Sequence, residues 1–80
     1  MSTSNNHTDG VPALNQYLQS IGKAEALSWL DTTSGPAHAP QWTSTCKIEN
    51  EAKGKGQGPQ KHIARDIAAK EALKAFGVTM

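Results

Sequence analysis

Leu14, Leu18 and Ile21 recur at i, i+4 and i+7, the spacing that gives a helix one apolar face. The pattern predicts a helix over Pro12–Ile21, with Asp9 just upstream, Pro12 suited to a first turn and Gly22 as a stop. Asn15, Gln16 and Gln19 fall on a different face, uncharged and rich in hydrogen-bonding groups. Ala26–Thr33 alternates weakly and predicts a strand, which Ser34-Gly35-Pro36 breaks and Ala37–Pro40 extends into a loop. Trp42–Glu49 alternates well, with Trp42, Ser44, Cys46 and Ile48 on one side, as in a half-buried strand. Asn50–Lys55 is short and polar and reads as a third, edge strand reached by a tight turn. From about Pro59 to Phe76 the period is helical again, with Ala64, Ala68, Ala72 and Ala75 as a small-residue stripe beside Leu73 and Phe76, and Gly77 as its end. The expected fold is α+β in the order α-β-β-β-α, a three-stranded antiparallel sheet with two helices packed on one face. Leu14, Leu18, Trp42, Ile48, Leu73 and Phe76 are the expected core, with Cys46 a small buried apolar group among them.

Charge changes this picture at one place. The chain of 80 residues carries a formal charge of only +1, yet Lys53, Lys55, Lys61 and Arg65, together with His62, fall within Lys53–Arg65, where there is no acidic residue. A glycine-rich turn in that stretch leads into the start of the second helix. A helix entrance has unpaired N–H groups and the positive end of the dipole, so basic side chains there add to an existing attraction for anions. The pattern points to phosphate.

Other chemistries fit poorly. A single cysteine, Cys46, allows neither an intramolecular disulfide nor a zinc site built on thiolate pairs. His7, His38 and His62 are scattered, and the carboxylates fall singly. The glycine run satisfies neither the Walker pattern nor Gly-x-Gly-x-x-Gly after a buried strand. The expectation is a non-enzymatic chain without a cofactor. Its apolar runs are far shorter than the roughly 20 residues of a membrane span, and Met1–Gly10 is polar, a disordered lead-in without the apolar segment of a secretory signal. One domain over 11–77, a short tail over 78–80 and an intracellular setting are expected.

Four segments together carry a resemblance. They are Leu14-Asn15-Gln16-Tyr17; Gly35-Pro36-Ala37-His38, followed by Trp42; Gly56-Gln57-Gly58; and Lys61-His62-Ile63-Ala64-Arg65-Asp66-Ile67-Ala68-Ala69. In order and spacing, Pro12–Gly77 resembles a double-stranded RNA-binding domain. Such domains span about 16 base pairs of A-form duplex, touching two successive minor grooves and the phosphates between them. The resemblance implies that Asn15 and Gln16, with Gln19 one turn on, face one minor groove. It puts the loop Pro36–Pro40 in the next, with His38 and nearby backbone groups, those of Pro36 and Ala37 among them, meeting 2′-hydroxyls. Lys61, His62 and Arg65 would bridge the phosphates, with Lys53 and Lys55 as looser electrostatic support. The implied partner is double-stranded RNA, recognised by shape with little sequence preference, and a second copy or an RNA-processing protein could act alongside.

The chain departs from the family pattern in three places. Gln16 stands where the family usually has an acidic residue, and His62 replaces the second lysine of the phosphate-bridging set, removing one fixed charge because imidazole is mostly neutral at pH 7. The tyrosine often found in the first strand corresponds to Ser28, with Trp29 next to it. The rival reading is a protein–protein interaction or dimerisation module of the same fold with weak or no RNA binding, which loss of phosphate-binding charge would favour.

Overall fold

The structure, a computed structural model, describes residues 10–78. The first helix, α1, spans Gly10–Ser20; after a 3-10 turn at Ala24–Ala26 come β1 (Leu27–Ser34), β2 (Gln41–Ile48), β3 (Glu51–Gly58) and the second helix, α2 (Lys61–Ala75). The strands form one antiparallel sheet in the order β1-β2-β3. This is the α-β-β-β-α fold expected. The lead-in over 1–10 lies outside the described residues except for Gly10, which opens α1 and is buried.

Alternation assigns the two faces of the sheet. Leu27, Trp29 and Asp31 pair with Ile48, Cys46 and Ser44, and Cys46, Ser44 and Trp42 pair in turn with Gly54, Gly56 and Gly58. Because side chains alternate along a strand, all of these point to the helix side. Leu14 and Leu18 of α1, Ala68, Ala69, Ala72 and Leu73 of α2, and Cys46 and Ile48 of β2 close one core against that side. Trp29, whose facing the sequence leaves open, lies on it partly buried, as do Tyr17 and Phe76, whose rings are 5.3 Å apart.

The largest difference from expectation concerns the glycines. β3 runs to Gly58, past the expected end at Lys55, so Gly56 and Gly58, like Gly54 before them, lie within a strand and not in a turn. Their inward positions have no side chains because α2 lies directly on them. A Cβ on Gly56 would be 2.6 Å from the Ala68 nitrogen, and one on Gly58 would be 2.7 Å from Cγ2 of Ile63. The alanine stripe supplies the matching small surface. Ala64, Ala68, Ala69 and Ala72 are fully buried, whereas Ala75 is exposed. Ile21 follows the end of α1 and is also exposed, so α1 contributes Leu14 and Leu18 alone from the expected triad.

A buried carboxylate ties the helices together. Asp66 of α2 is 2% exposed; its Oδ1 accepts the Gly10 backbone N–H at 2.6 Å, and its Oδ2 is 3.1 Å from Lys70 Nζ. α2 thereby satisfies a donor at the N-terminus of α1, where four N–H groups lack intrahelical partners. The same contact sets α1 level with the second turn of α2. The Tyr17–Phe76 contact farther on shows that the two helices run in the same direction.

Candidate nucleic-acid interface

The sheet register brings two of the three expected contact regions to one end of the molecule. Thr33, Trp42 and Gly58 form one of the last rungs of the sheet. Beyond it lie the β1–β2 loop and the Pro59-Gln60 step into α2. Lys61 Nζ sits 5.6 Å from the centroid of the Trp42 ring, linking the helix entrance to the base of the loop. At the other end, Lys23 meets Glu49 at 2.8 Å and the Glu49 N–H bonds to the Ala26 carbonyl. Along the strand direction the order is therefore loop, entrance of α2, then α1.

The loop is shaped by its own backbone. Gly35 has φ +89°, a left-handed conformation that disfavours any side chain. The Ala39 N–H then closes a turn on the Pro36 carbonyl at 3.0 Å. Pro36, Ala37 and His38 are exposed on that turn. The His38 imidazole bonds to no described residue, so the turn does not depend on it.

The entrance of α2 is open to anions. Its first turn has no acidic residue, and the Gln60 side chain does not cap it. Lys61 and His62 are exposed on this turn, beside N–H groups that the helix itself does not satisfy. On α1, Gln16 and Gln19 are exposed and Asn15 is half-buried. None of the three side-chain amides is hydrogen-bonded to a described residue.

The remaining cations sit differently. Lys55 pairs with Thr45 between two inward-facing glycines, so it projects from the sheet face away from the helices. Lys53 forms an ion pair with Glu51 at 3.0 Å. Arg65 grips Asp31 of β1 in a bidentate pair. Its Nε lies 3.2 Å from each carboxylate oxygen and its Nη2 donates to Oδ2. The Ser44 hydroxyl donates to Oδ1 at 2.7 Å, and the guanidinium carbon sits 5.2 Å from the centroid of the Trp29 ring. Arg65's hydrogen bond, opposed by partial burial and helped by Ser44, holds the Asp31 carboxyl below the usual carboxylate range; the same bond raises Arg65. Asp31 is the residue that reading the basic stretch alone misses, because it arrives from a strand 34 positions away. The sequence carries no clear signal for it, because Ala26–Thr33 alternates too weakly to fix the facing of Trp29 and, with it, of Asp31.

No helix among the described residues is long and apolar enough to cross a membrane, and they contain no cluster of metal-binding side chains.

Comparison with known proteins agrees with this geometry. The family model described as "Double-stranded RNA binding motif" matches residues 11–75. Ribonuclease 3 of Streptococcus gordonii is 39% identical over 67 residues, which cover 84% of this chain and 29% of that protein. Ribonuclease 3 of Streptococcus thermophilus is 35% identical over 69 residues, 86% of this chain and 30% of that protein. The chain thus spans less than a third of the length of the curated relatives it matches. With the motif matched from Val11 to Ala75 and the α-β-β-β-α order in place, the chain belongs to the double-stranded RNA binding motif family.

Proposed function

We propose that this domain binds double-stranded RNA by its A-form shape. The β1–β2 loop and α1 would enter successive minor grooves, with the entrance of α2 on the phosphates between them. The observation that carries the reading is the position of Lys61 and His62. They are exposed on an acid-free first helical turn, directly beside the loop that bears His38. The order loop, α2 entrance, α1 along the molecule suits the groove–phosphate–groove order of such a footprint. The backbone at Pro36 and Ala37 and the His38 side chain on the loop, with the Asn15, Gln16 and Gln19 amides on α1, offer hydrogen-bonding groups to 2′-hydroxyls. Lys53 and Lys55 add only diffuse attraction, since one is paired and the other faces away.

The domain acts in this reading as a binding module without a catalytic step, in an intracellular setting. A single footprint of modest affinity also favours use in pairs along one duplex, or beside an RNA-processing protein. The test is an NMR titration of the labelled domain with a duplex RNA of about 20 base pairs, long enough for the full footprint, and with DNA of matching sequence. Shifts confined to residues 15–19, 36–40 and 61–65, and much weaker with DNA, support the reading. No response to RNA at low salt refutes it.

A further inference from the structure

We propose that Asp31 is a built-in attenuator of RNA affinity, neutralising Arg65 so that the entrance of α2 presents less positive charge to phosphate than its sequence supplies. The inference rests on the reading of α2's first turns as the phosphate-facing surface, and it adds a residue from β1 to the factors that set affinity.

The pair is built to persist. Asp31's side chain is 15% exposed and Arg65's is 35% exposed. The carboxylate is held by the guanidinium fork, by the hydroxyl of fully buried Ser44 and by its position on the helix side of the sheet. The guanidinium is backed by the Trp29 ring. Charge-assisted bidentate pairs of this kind are among the stronger hydrogen-bonded contacts. A phosphate approaching Arg65 must either displace Asp31 from this setting or bring a second anion up beside the first. With the carboxylate in place the pair has no net charge, so it does little to displace counterions from RNA. Lys61, which faces the Trp42 ring and has no acidic residue in its own turn, forms no ion pair among the described residues and feels the Asp31 charge only at longer range.

The alternative role for Asp31 is to position Arg65 for a direct phosphate contact, and the two roles differ in sign. One additional counterion released at about 0.1 M salt is worth about eightfold in affinity and about 0.9 in the log–log salt slope. The experiment is fluorescence anisotropy with a labelled duplex RNA of about 20 base pairs across a salt series. It uses the whole chain, Asp31→Asn, Arg65→Gln, the double variant and Lys61→Ala, each checked for folding by its amide spectrum. As an attenuator, Asp31→Asn tightens binding by about eightfold and steepens the slope by nearly one unit. Arg65→Gln weakens binding, because it bares a carboxylate. The double variant, neutral like the native pair, stays within about twofold of the parent chain, as the counterion count is unchanged.

Weaker or unchanged binding by Asp31→Asn, or a double variant well below the parent chain, overturns the proposal. If Asp31→Asn fails to fold, the double variant and one wild-type measurement still decide. That measurement is the Arg65 Nε–H resonance, which stays in place under saturating RNA if Asp31 holds the guanidinium and moves if phosphate takes it. Failure of the parent reading looks different. Lys61→Ala would then leave RNA affinity unchanged, and both readings would fall together.

Discussion

Gly54 and Ala68 meet backbone to backbone: a Cβ on Gly54 would overlap the Ala68 carbonyl oxygen and come within 2.6 Å of the Ala72 nitrogen. Neither obstacle is a flexible side-chain end, so the helix itself must move. Gly54→Ala is expected to destabilise the domain by about 3 kcal/mol, at the upper end for overpacking. Gly77→Ala is the control. It has φ +83° but open space around it, so it costs only the backbone conformation, about 1 kcal/mol. Urea denaturation of both variants measures the difference, and equal costs would mean that α2 does not lie on β3 as closely as described.

Much of this was legible in the sequence. Leu14 with Leu18, and the alternation of Ser44, Cys46 and Ile48, announce their faces because periodicity is a property of neighbours along the chain. The loop was legible through Gly35-Pro36, and the helix entrance through Lys61 and His62. What was hidden depends on partners far apart in sequence. Gly56 and Gly58 look like a turn until α2 is seen lying on them. Arg65 looks like one of the phosphate-bridging cations until Asp31 is placed opposite it. Asp66 looks like an ordinary helical acid, but its partner is the amide of Gly10, 56 residues away.

Lys61 and Lys55 are equal in charge and unequal in place. Lys61 stands at the entrance of α2 above Trp42, and Lys55 projects from the opposite face of the sheet. Lys61→Ala is expected to weaken duplex RNA binding by about eightfold near 0.1 M salt, one counterion's worth. Lys55→Ala should cost less than about twofold, since its charge is screened over roughly a Debye length. Equal losses measured by anisotropy would indicate diffuse attraction and no defined phosphate-bridging site.

Asp31 makes stability depend on acid. Its carboxyl is held below the ordinary value chiefly by the Arg65 hydrogen bond, with Lys61 and Arg65 also favouring its charge and burial opposing them. The unfolded chain therefore binds more protons than the folded one as pH falls past about 4, the ordinary carboxylate value. The stabilisation is complete above that value and is lost as pH drops through the lowered one. Glu49 shifts in the same direction beside Lys23, but exposed pairs contribute little. Melting curves at pH 6 and pH 3 should show a smaller acid loss in Asp31→Asn than in the parent chain. An identical loss would place the acid sensitivity elsewhere.

Cys46 reports on the core. Its side chain is fully buried between α1, α2 and the sheet, and burial pushes its thiol up to about 11. Both access and thiolate formation are suppressed in the folded chain. At pH 8 the native domain should react with a thiol reagent only as fast as it opens, and added urea should accelerate the reaction in step with unfolding. Labelling at the rate of an exposed cysteine would contradict the packing of β2 against the helices.

The β2–β3 hairpin is where the sequence is locally out of step with its backbone. Glu49 and Asn50 form a two-residue loop between paired Ile48 and Glu51, with φ of 56° and 66°. This is the geometry of a type I′ turn, which favours Asn-Gly. Asparagine visits the left-handed region readily, while glutamate there costs on the order of 1 kcal/mol. In return Glu49 makes the exposed 2.8 Å pair with Lys23, and fully exposed pairs add little to stability. Its N–H bond to the Ala26 carbonyl survives any substitution except proline. The backbone term is the larger, so Glu49→Asn with Asn50→Gly should stabilise the domain by about 1 kcal/mol, a Tm rise of about 4–8 °C for a chain of this size. Lys23→Ala, made in both backgrounds, separates the terms. A large loss in the parent chain and none in the redesigned turn would show that the ion pair outweighs the backbone, and the predicted gain would then vanish.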